Sequence, residues 1–561
     1  MKLLRLEIGE KFRSLHSGFS MDFHSLTEKG INEMPKFQPF CFAGLNGTGK
    51  SNVLEALAAI FYHLELCVVE YKPKSLSKYF QPEKCTPDIF TLRYLIKSFY
   101  EENNQIVTIK KAKGEIPKMF RQSFSLKDNQ IVLDVEFEVT LDINDSPSYT
   151  AGAEAKAYLP EIIIGYSSGE NEILSIPFIK NRLINFDGYV EAVIKNYSYD
   201  EPESSLIYID SEMSQAVLLS ILLFESKETL NPLEKELHIK GLRSFRMNLN
   251  LHEIHHDIDQ KVSSPILKQL EPQIQKLQNC ATSWFVDDKL MWFDFYVDDN
   301  TKTAFQENFK SSFELFRFFQ ILYELNSRIV IDSIKEEVYS SKGYYTDGKL
   351  PTGSPEQNVF YFLDYLILKH VEGEPKPIEL LLRNFSDGEH QFLHTMGICL
   401  MLKDRSSLLL LDEPETHFNP SWRAKFIKVL NDSIKAGGGN NMMKEILLSS
   451  HSPFIISDCM PNNVIVFEKN ETTGTISAKK ANELNIRTFG TSIEEISDKI
   501  FKYDQSIGEL SNFELEKIDF HKIKTEVDVV NAKKSIQHLG DSIEKDLILA
   551  RLNQLIPKTN K

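Results

Sequence analysis

Two short motifs near opposite ends of the chain require each other, and that requirement constrains the fold more than anything else in the sequence. Gly44-Leu-Asn46-Gly47-Thr48-Gly49-Lys50-Ser51 is a complete G-x-x-x-x-G-K-S phosphate loop. Leu408 to Leu411 is an apolar run that ends in Asp412, Glu413, Pro414 and Glu415. A loop of the first kind needs a strand and acids of the second kind, so both ends of the chain belong to one site. Together they imply a site for ATP with Mg2+.

The chemistry explains the spacing. Glycines let successive backbone N–H groups turn toward phosphates with no side chain in the way, and Gly44, Gly47 and Gly49 allow that wrap. Lys50 can reach the β and γ phosphates, and the Ser51 hydroxyl is placed to ligate Mg2+ at the start of a helix whose dipole favours the anion. The helix reads from Val53, Leu57, Ile60, Phe61 and Leu64, and residues 39–43 form the short apolar strand before it. Asn46, Gly47, Thr48, Gly49, Lys50, Ser51 and Asn52 are the expected ATP contacts within the chain. Asp412 would hold Mg2+ through water, and Glu413, one residue on, would polarise the attacking water.

Phe385-Ser386-Asp-Gly388-Glu389 reads as a capping box, with Ser386 capping a helix and Glu389 reaching back. The helix continues through Phe392, Leu393, Met396 and Leu400, and its N-terminus is a second anion site. Residues 445–454 read as a strand ending in a polar turn, where His451 can contact a γ phosphate. An isolated histidine there would more often be structural; the three preceding motifs favour the phosphate-sensing role.

The order of phosphate loop, capped helix, acidic strand and histidine turn resembles the ABC-type ATPases, in the branch containing SMC, RecF and overcoming-lysogenization-defect proteins. Residues 51–56, 412–420 and 450–454 carry the likeness to that branch. A narrower similarity, to the restriction-system-associated AAA ATPases that include the PtuA subunits of Septu and retron-linked antiphage systems, rests on residues 12–15, 164–172, 488–492 and 539–545. The first resemblance implies a head-to-tail homodimer in which Ser386, Gly388 and Glu389 of one copy complete the ATP pocket of the other. The second implies a partner HNH nuclease similar to PtuB and, in retron-linked systems, a reverse transcriptase with its multicopy single-stranded DNA (msDNA). Overcoming-lysogenization-defect relatives carry a Toprim nuclease, built on a glutamate and a spaced aspartate pair. No such arrangement, and no supported H-N-H constellation, stands in this sequence, so an ATPase without nuclease activity of its own is expected. Three functions stay open: an antiphage sensor and scaffold, a RecF-like repair ATPase at DNA ends or gaps, and a self-contained toxic effector.

The expected fold is α/β: an ABC-type ATPase head, with a mixed sheet around the phosphate loop and an antiparallel β layer, an inserted helical lobe and a helical C-terminal extension. Residues 1–210 would form the N-terminal ATPase lobe, 211–380 a mainly helical insertion, 381–490 the C-terminal ATPase lobe and 491–561 the helical extension. Periodic Phe313, Leu315, Phe318, Phe319, Leu322 and Leu325 support helix in the insertion, while the absence of sustained heptads excludes a long coiled coil. Residues 463–467 read as the last core strand. The strand at residues 160–166 occupies the place of the glutamine-bearing loop of ABC proteins, but no glutamine stands there. Tyr166, Ser167 and Asn171 remain open for its metal contact.

With 561 residues, 42% of them hydrophobic, the chain can bury a large core. A net charge of −16 argues against nucleic-acid binding over the whole surface. Two local basic stretches remain, Lys110, Lys111, Lys113, Lys118 and Arg121, and Lys240, Arg243 and Arg246; for each, a solvated sheet face outweighs a nucleic-acid contact. His252, His255, His256 and Asp257 lack a second ligand pair, which favours a structural or surface role over a metal site. Six cysteines without C-x-x-C pairing point to a reducing compartment. No apolar stretch reads as long enough to cross a membrane, and a cytoplasmic protein is expected.

Overall fold

The computed structural model describes residues 1–34, 36, 38–69, 76, 79–97, 104–127, 130–141, 154–168, 172–199, 202, 204–255, 263–341, 349–436, 443–503 and 506–555. The chain opens with β1 (Lys2–Ile8) and β2 (Phe19–Asp22), then β3 (Phe40–Gly44), which runs through the phosphate loop into the helix Lys50–Val68. Strands β4 (Phe90–Lys97), β5 (Asn104–Lys111), β6 (Lys118–Lys127) and β7 (Gln130–Val139) follow as an antiparallel meander. With β1 and β2 they make a six-stranded sheet ordered β2-β1-β4-β5-β6-β7. Next come β8 (Ile162–Ser167) and β9 (Leu206–Tyr208), joined through the helix Ile176–Lys195.

Residues 211–380 hold a sheet that the expectation of a mainly helical lobe did not include, beside helices that still make up the larger share. Helices Ser211–Phe224, Lys227–Leu237, Glu271–Cys280, Asp299–Asn308, Ser312–Glu324 and Asp332–Ser340 are present. So are β10 (Ile239–Asn250), the short pair β11 (Glu253–His255) and β12 (Ser263–Pro265), and then β13 (Ser283–Asp287), β14 (Leu290–Tyr296), β15 (Phe360–Lys369) and β16 (Ile378–Leu381). All but β11 and β12 form a five-stranded antiparallel sheet ordered β13-β14-β10-β15-β16. Apolar runs such as residues 360–368 have no period that separates strand from helix, and neighbouring strands decide the outcome. Its basic residues are matched by acids: Lys240 pairs with Glu234 of the helix Lys227–Leu237, and across the sheet Arg243 pairs with Glu379 at 3.0 Å and Arg246 with Asp294. In the other basic stretch, Lys111 is fully buried against Asp88, while Lys110 and Lys118 face each other on the hairpin β5–β6. His256, Asp257 and Asn171 lie outside the described residues.

The chain closes the central sheet late, with β17 (Ser407–Asp412), β18 (Lys444–Ser449), β19 (Val464–Lys469) and β20 (Ile476–Lys480). The order β20-β19-β3-β18-β17-β8-β9 sets β3 between β19 and β18. Residues 463–467 lie in β19, the last strand buried in the core, and β20 follows antiparallel to it as a half-exposed edge. Strands β3, β17 and β18 are buried along their whole length, as parallel strands covered on both faces should be. Their alternation feeds two cores. Leu408 and Leu410 pack with Val53, Leu57 and Phe61 of the phosphate-loop helix, and Leu409 and Leu411 pack with Phe392 and Met396 of the helix Asp387–Met401. By length and composition the helix Lys50–Val68 is long and apolar enough to cross a membrane, but most of it is buried inside this fold. A separate small core of Leu515, Ile518, Val529, Ile536 and Leu552 gathers the C-terminal helices.

The antiparallel layer is tied to the central sheet by one buried carboxylate. Glu445 of β18 accepts the backbone N–H of Leu3 at 2.7 Å and faces Lys2 at 3.6 Å and His24 at 3.1 Å. Burial alone would raise this carboxyl, yet Lys2, His24 and the Leu3 N–H hold it below its ordinary 4.5. Its contribution to stability is complete above that value and is lost as the pH falls below it. Glu445→Ala leaves buried partners unmatched and is expected to cost about 3 kcal/mol at neutral pH. Chemical denaturation checks this, and the gap between parent and variant should narrow in acid.

Candidate nucleotide site

Three parallel strands end on one line. The register aligns Asp412 with Ser449 of β18 on one side and with Ser167 of β8 on the other, while β3 delivers the loop beside β18. Gly44, Gly47 and Gly49 have φ of 144°, 73° and 91°. A Cβ on Gly44 would lie 2.4 Å from the Phe467 carbonyl oxygen and is excluded sterically as well as by torsion, while one on Gly49 would crowd Ser14 Oγ at 3.0 Å and is disfavoured chiefly by its φ. Thr48 donates to the Leu45 carbonyl at 2.8 Å and pins the loop, leaving Asn46 exposed at its tip. The turn at residues 12–15 braces the helix behind it. Arg13 forks onto Glu55 through three hydrogen bonds of 2.7–3.2 Å, and Ser14 Oγ donates to Asn52 Oδ1 at 2.5 Å.

Lys50 is buried and donates from Nζ to the Gly44 and Leu45 carbonyls, each at 3.0 Å. Desolvation lowers its ammonium to about 8, against the opposing pull of Glu413 and Asp412. Asp412 is nearly buried, and desolvation raises its carboxyl although two hydroxyls support the charge. Ser51 Oγ donates to Asp412 Oδ1 at 2.8 Å and Ser449 Oγ donates to the same oxygen at 2.5 Å. A hydroxyl and a carboxylate oxygen brought together at a helix N-terminus are the hard-oxygen donor set that suits Mg2+, so the residues present fit that ion.

Glu413 follows with φ 48°, a left-handed conformation that costs a non-glycine residue roughly 1–2 kcal/mol. Its N–H is held by Ser449 Oγ at 3.0 Å, and its carboxylate meets His451 Nε2 at 3.1 Å. The hydrogen bond from His451 keeps the Glu413 carboxyl below its ordinary range, ionised and able to accept a proton. The His451 ring stands 6.2 Å from that of Phe501, so the C-terminal helix Ile493–Phe501 reaches the histidine turn. Three groups went unassigned in the sequence. Ser449 bridges Asp412 and Glu413. Ser168 receives the strand end, its N–H donating to the Asp412 carbonyl at 3.1 Å and its hydroxyl to that of Glu413. Glu415 is fully buried, with its carboxyl raised to about 7 by desolvation, and accepts from Ser450 beside His451. Strand-end logic could have found both serines, since ligand-facing residues of a parallel sheet gather at its carboxyl edge. Tyr166 is buried toward His394, with centroids 6.4 Å apart, which removes it from the metal contact left open above.

The capping box is present. Glu389 N donates to Ser386 Oγ at 3.4 Å and Ser386 N to Glu389 Oε2 at 2.9 Å. Glu389 also pairs with Lys369 of β15, which ties the inserted sheet to this helix. A Cβ on Gly388 would lie 2.8 Å from the His417 carbonyl oxygen, so the helix start packs directly on the segment after the acids. Ser386 is exposed, and none of its hydrogen bonds reaches the phosphate loop.

Residues 307–457 match the family model described as "AAA domain, putative AbiEii toxin, Type IV TA system". The match takes in the capped helix, the acidic strand and the histidine turn; the phosphate loop lies before it. The chain is also similar to Septu protein PtuA of Bacillus thuringiensis, 21% identical over 236 residues, which are 40% of this chain and 52% of that protein. The chain thus spans about half the length of the curated relative it matches. It resembles an ABC/AAA-type ATPase related to PtuA, on a mixed α/β fold.

Because the Lys50 ammonium is held near neutrality by burial, a fluorescent triphosphate should bind more weakly as the pH rises through about 8. Titrations at a series of pH values check this, and the dependence should be absent in Lys50→Arg, whose charge does not titrate in this range.

Proposed function

We propose that this chain binds and hydrolyses ATP as the sensor and scaffold subunit of an antiphage defence complex, and that it governs a separate nuclease. One observation carries the ATPase reading: Ser51 from the phosphate loop and Ser449 from the neighbouring strand converge on a single oxygen of Asp412, beside an ionised Glu413 paired with His451. Asn46, Gly47, Thr48, Gly49, Lys50, Ser51 and Asn52 line the triphosphate side, and Ser51 with Asp412 would hold Mg2+. The ion, when bound, screens phosphate charge and strengthens the electrophile. Glu413 takes the proton of the attacking water, and its cramped backbone fixes the carboxylate toward the pocket. His451 orients Glu413 and contacts the γ phosphate.

The exposed Ser386 at the start of the capped helix, with the buried Gly388 and the half-buried Glu389 behind it, supports pairing of two chains, each offering this helix end to the other's triphosphate. Contacts to the γ phosphate from both chains would exist only before hydrolysis, so cleavage releases the pair. Lys369 links that helix to the inserted sheet, and Phe501 links His451 to the C-terminal helices, giving two routes from the nucleotide to surfaces where a nuclease could dock. The defence role rests on the similarity to Septu protein PtuA. The HNH nuclease similar to PtuB, and the reverse transcriptase with msDNA, belong to this reading as partners. The repair alternative, which rests on the likeness to the RecF branch, gains nothing from the basic residues of β10, because they are matched by acids.

Glu413→Gln is expected to slow ATP turnover by at least ~100-fold while leaving binding intact, so that ATP holds a persistent pair in sedimentation. Lys50→Ala should bind little ATP and form no ATP-dependent pair. Turnover that persists in Glu413→Gln would remove its assigned role. Phage-plating assays with the flanking genes test the defence role: protection should be lost in Lys50→Ala, and an affinity-tagged parent should retain a small nuclease. Strong stimulation of hydrolysis by DNA ends, with no retained nuclease, would instead support repair.

A further inference from the structure

Two edge strands carry large apolar side chains into solvent, and their charges separate them. In β7, Leu133, Val135 and Phe137 are 44%, 71% and 54% exposed. Asp134, Glu136 and Glu138 alternate with them. A second copy laid antiparallel along β7, in any register that matches faces, sets acid against acid, which blocks self-association. In β13 every residue is exposed, with Trp284, Phe285 and Val286 at 46%, 50% and 47%. No charge stands between Ala281 and Val286, and this edge has no lysine, proline or bulge to protect it.

The free side of β13 pairs with no other strand among the described residues, because its sheet ends there. Pairing with β14 places Trp284 opposite Phe293, on the face that packs into the core, and Phe285 opposite Trp292 on the other face, where the rings stack at 6.2 Å. Both faces therefore continue past the last strand with nothing of this chain beyond them among the described residues. A two-fold axis through Phe285 sets Phe285 against Phe285, Trp284 against Val286, and Ser283 against Asp287. Every contact is apolar or pairs an acid with a hydroxyl. A parallel arrangement would stack the Asp287 and Asp288 side chains of the two copies.

We propose that β13 is the surface through which a second copy of this chain joins, antiparallel and edge to edge, making one ten-stranded sheet from two five-stranded ones. The contact is separate from the capped-helix pairing proposed above, and two different two-fold contacts on one chain assemble it beyond a dimer. Six half-exposed side chains cover on the order of 600 Å2, short of the roughly 1,200 Å2 of a stable interface. The isolated contact is therefore weak, with Kd of order 10–100 µM, and gains strength when a second interface links the same chains.

Lys50→Ala separates the two contacts, since it removes ATP-driven pairing and leaves β13 untouched. This variant should sediment as a reversible monomer–dimer mixture at tens of micromolar, and adding Phe285→Lys should weaken that dimer at least ~10-fold while Phe285→Lys alone retains ATP binding. In the same background, Phe285→Cys should cross-link to itself with a short bismaleimide, whereas Ser283→Cys, which meets Asp287, should give less than about a tenth as much. The natural cysteines are buried except the half-buried Cys85, which sets the background. The proposal is overturned if Lys50→Ala stays monomeric over this range, if Phe285→Lys leaves its dimer unchanged, or if Phe285→Cys cross-links no better than Ser283→Cys.

Discussion

A single carboxylate oxygen organises the nucleotide end of this molecule. Asp412 Oδ1 receives the Ser51 hydroxyl from one strand–helix junction and the Ser449 hydroxyl from the adjacent strand. Without those two donors, a nearly buried aspartate would be costly to keep charged. With them, the phosphate loop, the acidic strand and the histidine strand are locked in one register, and the next residue is held in a strained turn that aims its carboxylate. The strain at Glu413 is sustained because Ser449 grips its N–H and Ser168 its carbonyl.

The same economy of contacts recurs at longer range. Glu445 ties the antiparallel layer to the central sheet, Glu389 ties the capped helix to the inserted sheet through Lys369, and Arg13 ties the second turn of the chain to the phosphate-loop helix through Glu55. Each is a buried or half-buried carboxylate with several donors, at a junction between layers that otherwise meet through apolar side chains. Such contacts contribute specificity of register more than net stability.

The nucleotide residues were legible because their chemistry is local. A glycine loop, a capping box and an apolar strand ending in acids each occupy a few consecutive positions and need no partner to be recognised. Ser449 and Ser168 were harder, since nothing in their own neighbourhood distinguishes them; their roles come from lying level with Asp412 across parallel strands. The inserted sheet was illegible for a related reason. Residues 239–250 and 360–369 mix charge and apolar bulk without a clear two-residue period, and only the pairing of Arg243 with Glu379 and Arg246 with Asp294 shows that the charges belong to a sheet surface rather than a nucleic-acid site. The edge strand β20 escaped notice because a five-residue segment with two terminal lysines carries little signal.

The position of β3 in the central sheet also governs how the chain can be made. Both of its hydrogen-bonded neighbours, β18 and β19, are synthesised hundreds of residues later, whereas the meander β4 to β7 closes against β1 as soon as residue 139 has emerged. During translation the outer layer can therefore mature early while five consecutive buried residues, Phe40 to Gly44, wait without strand partners. That interval is long at ribosomal speeds, and it makes this segment the natural client for a holding chaperone and the place where a truncated product would first aggregate.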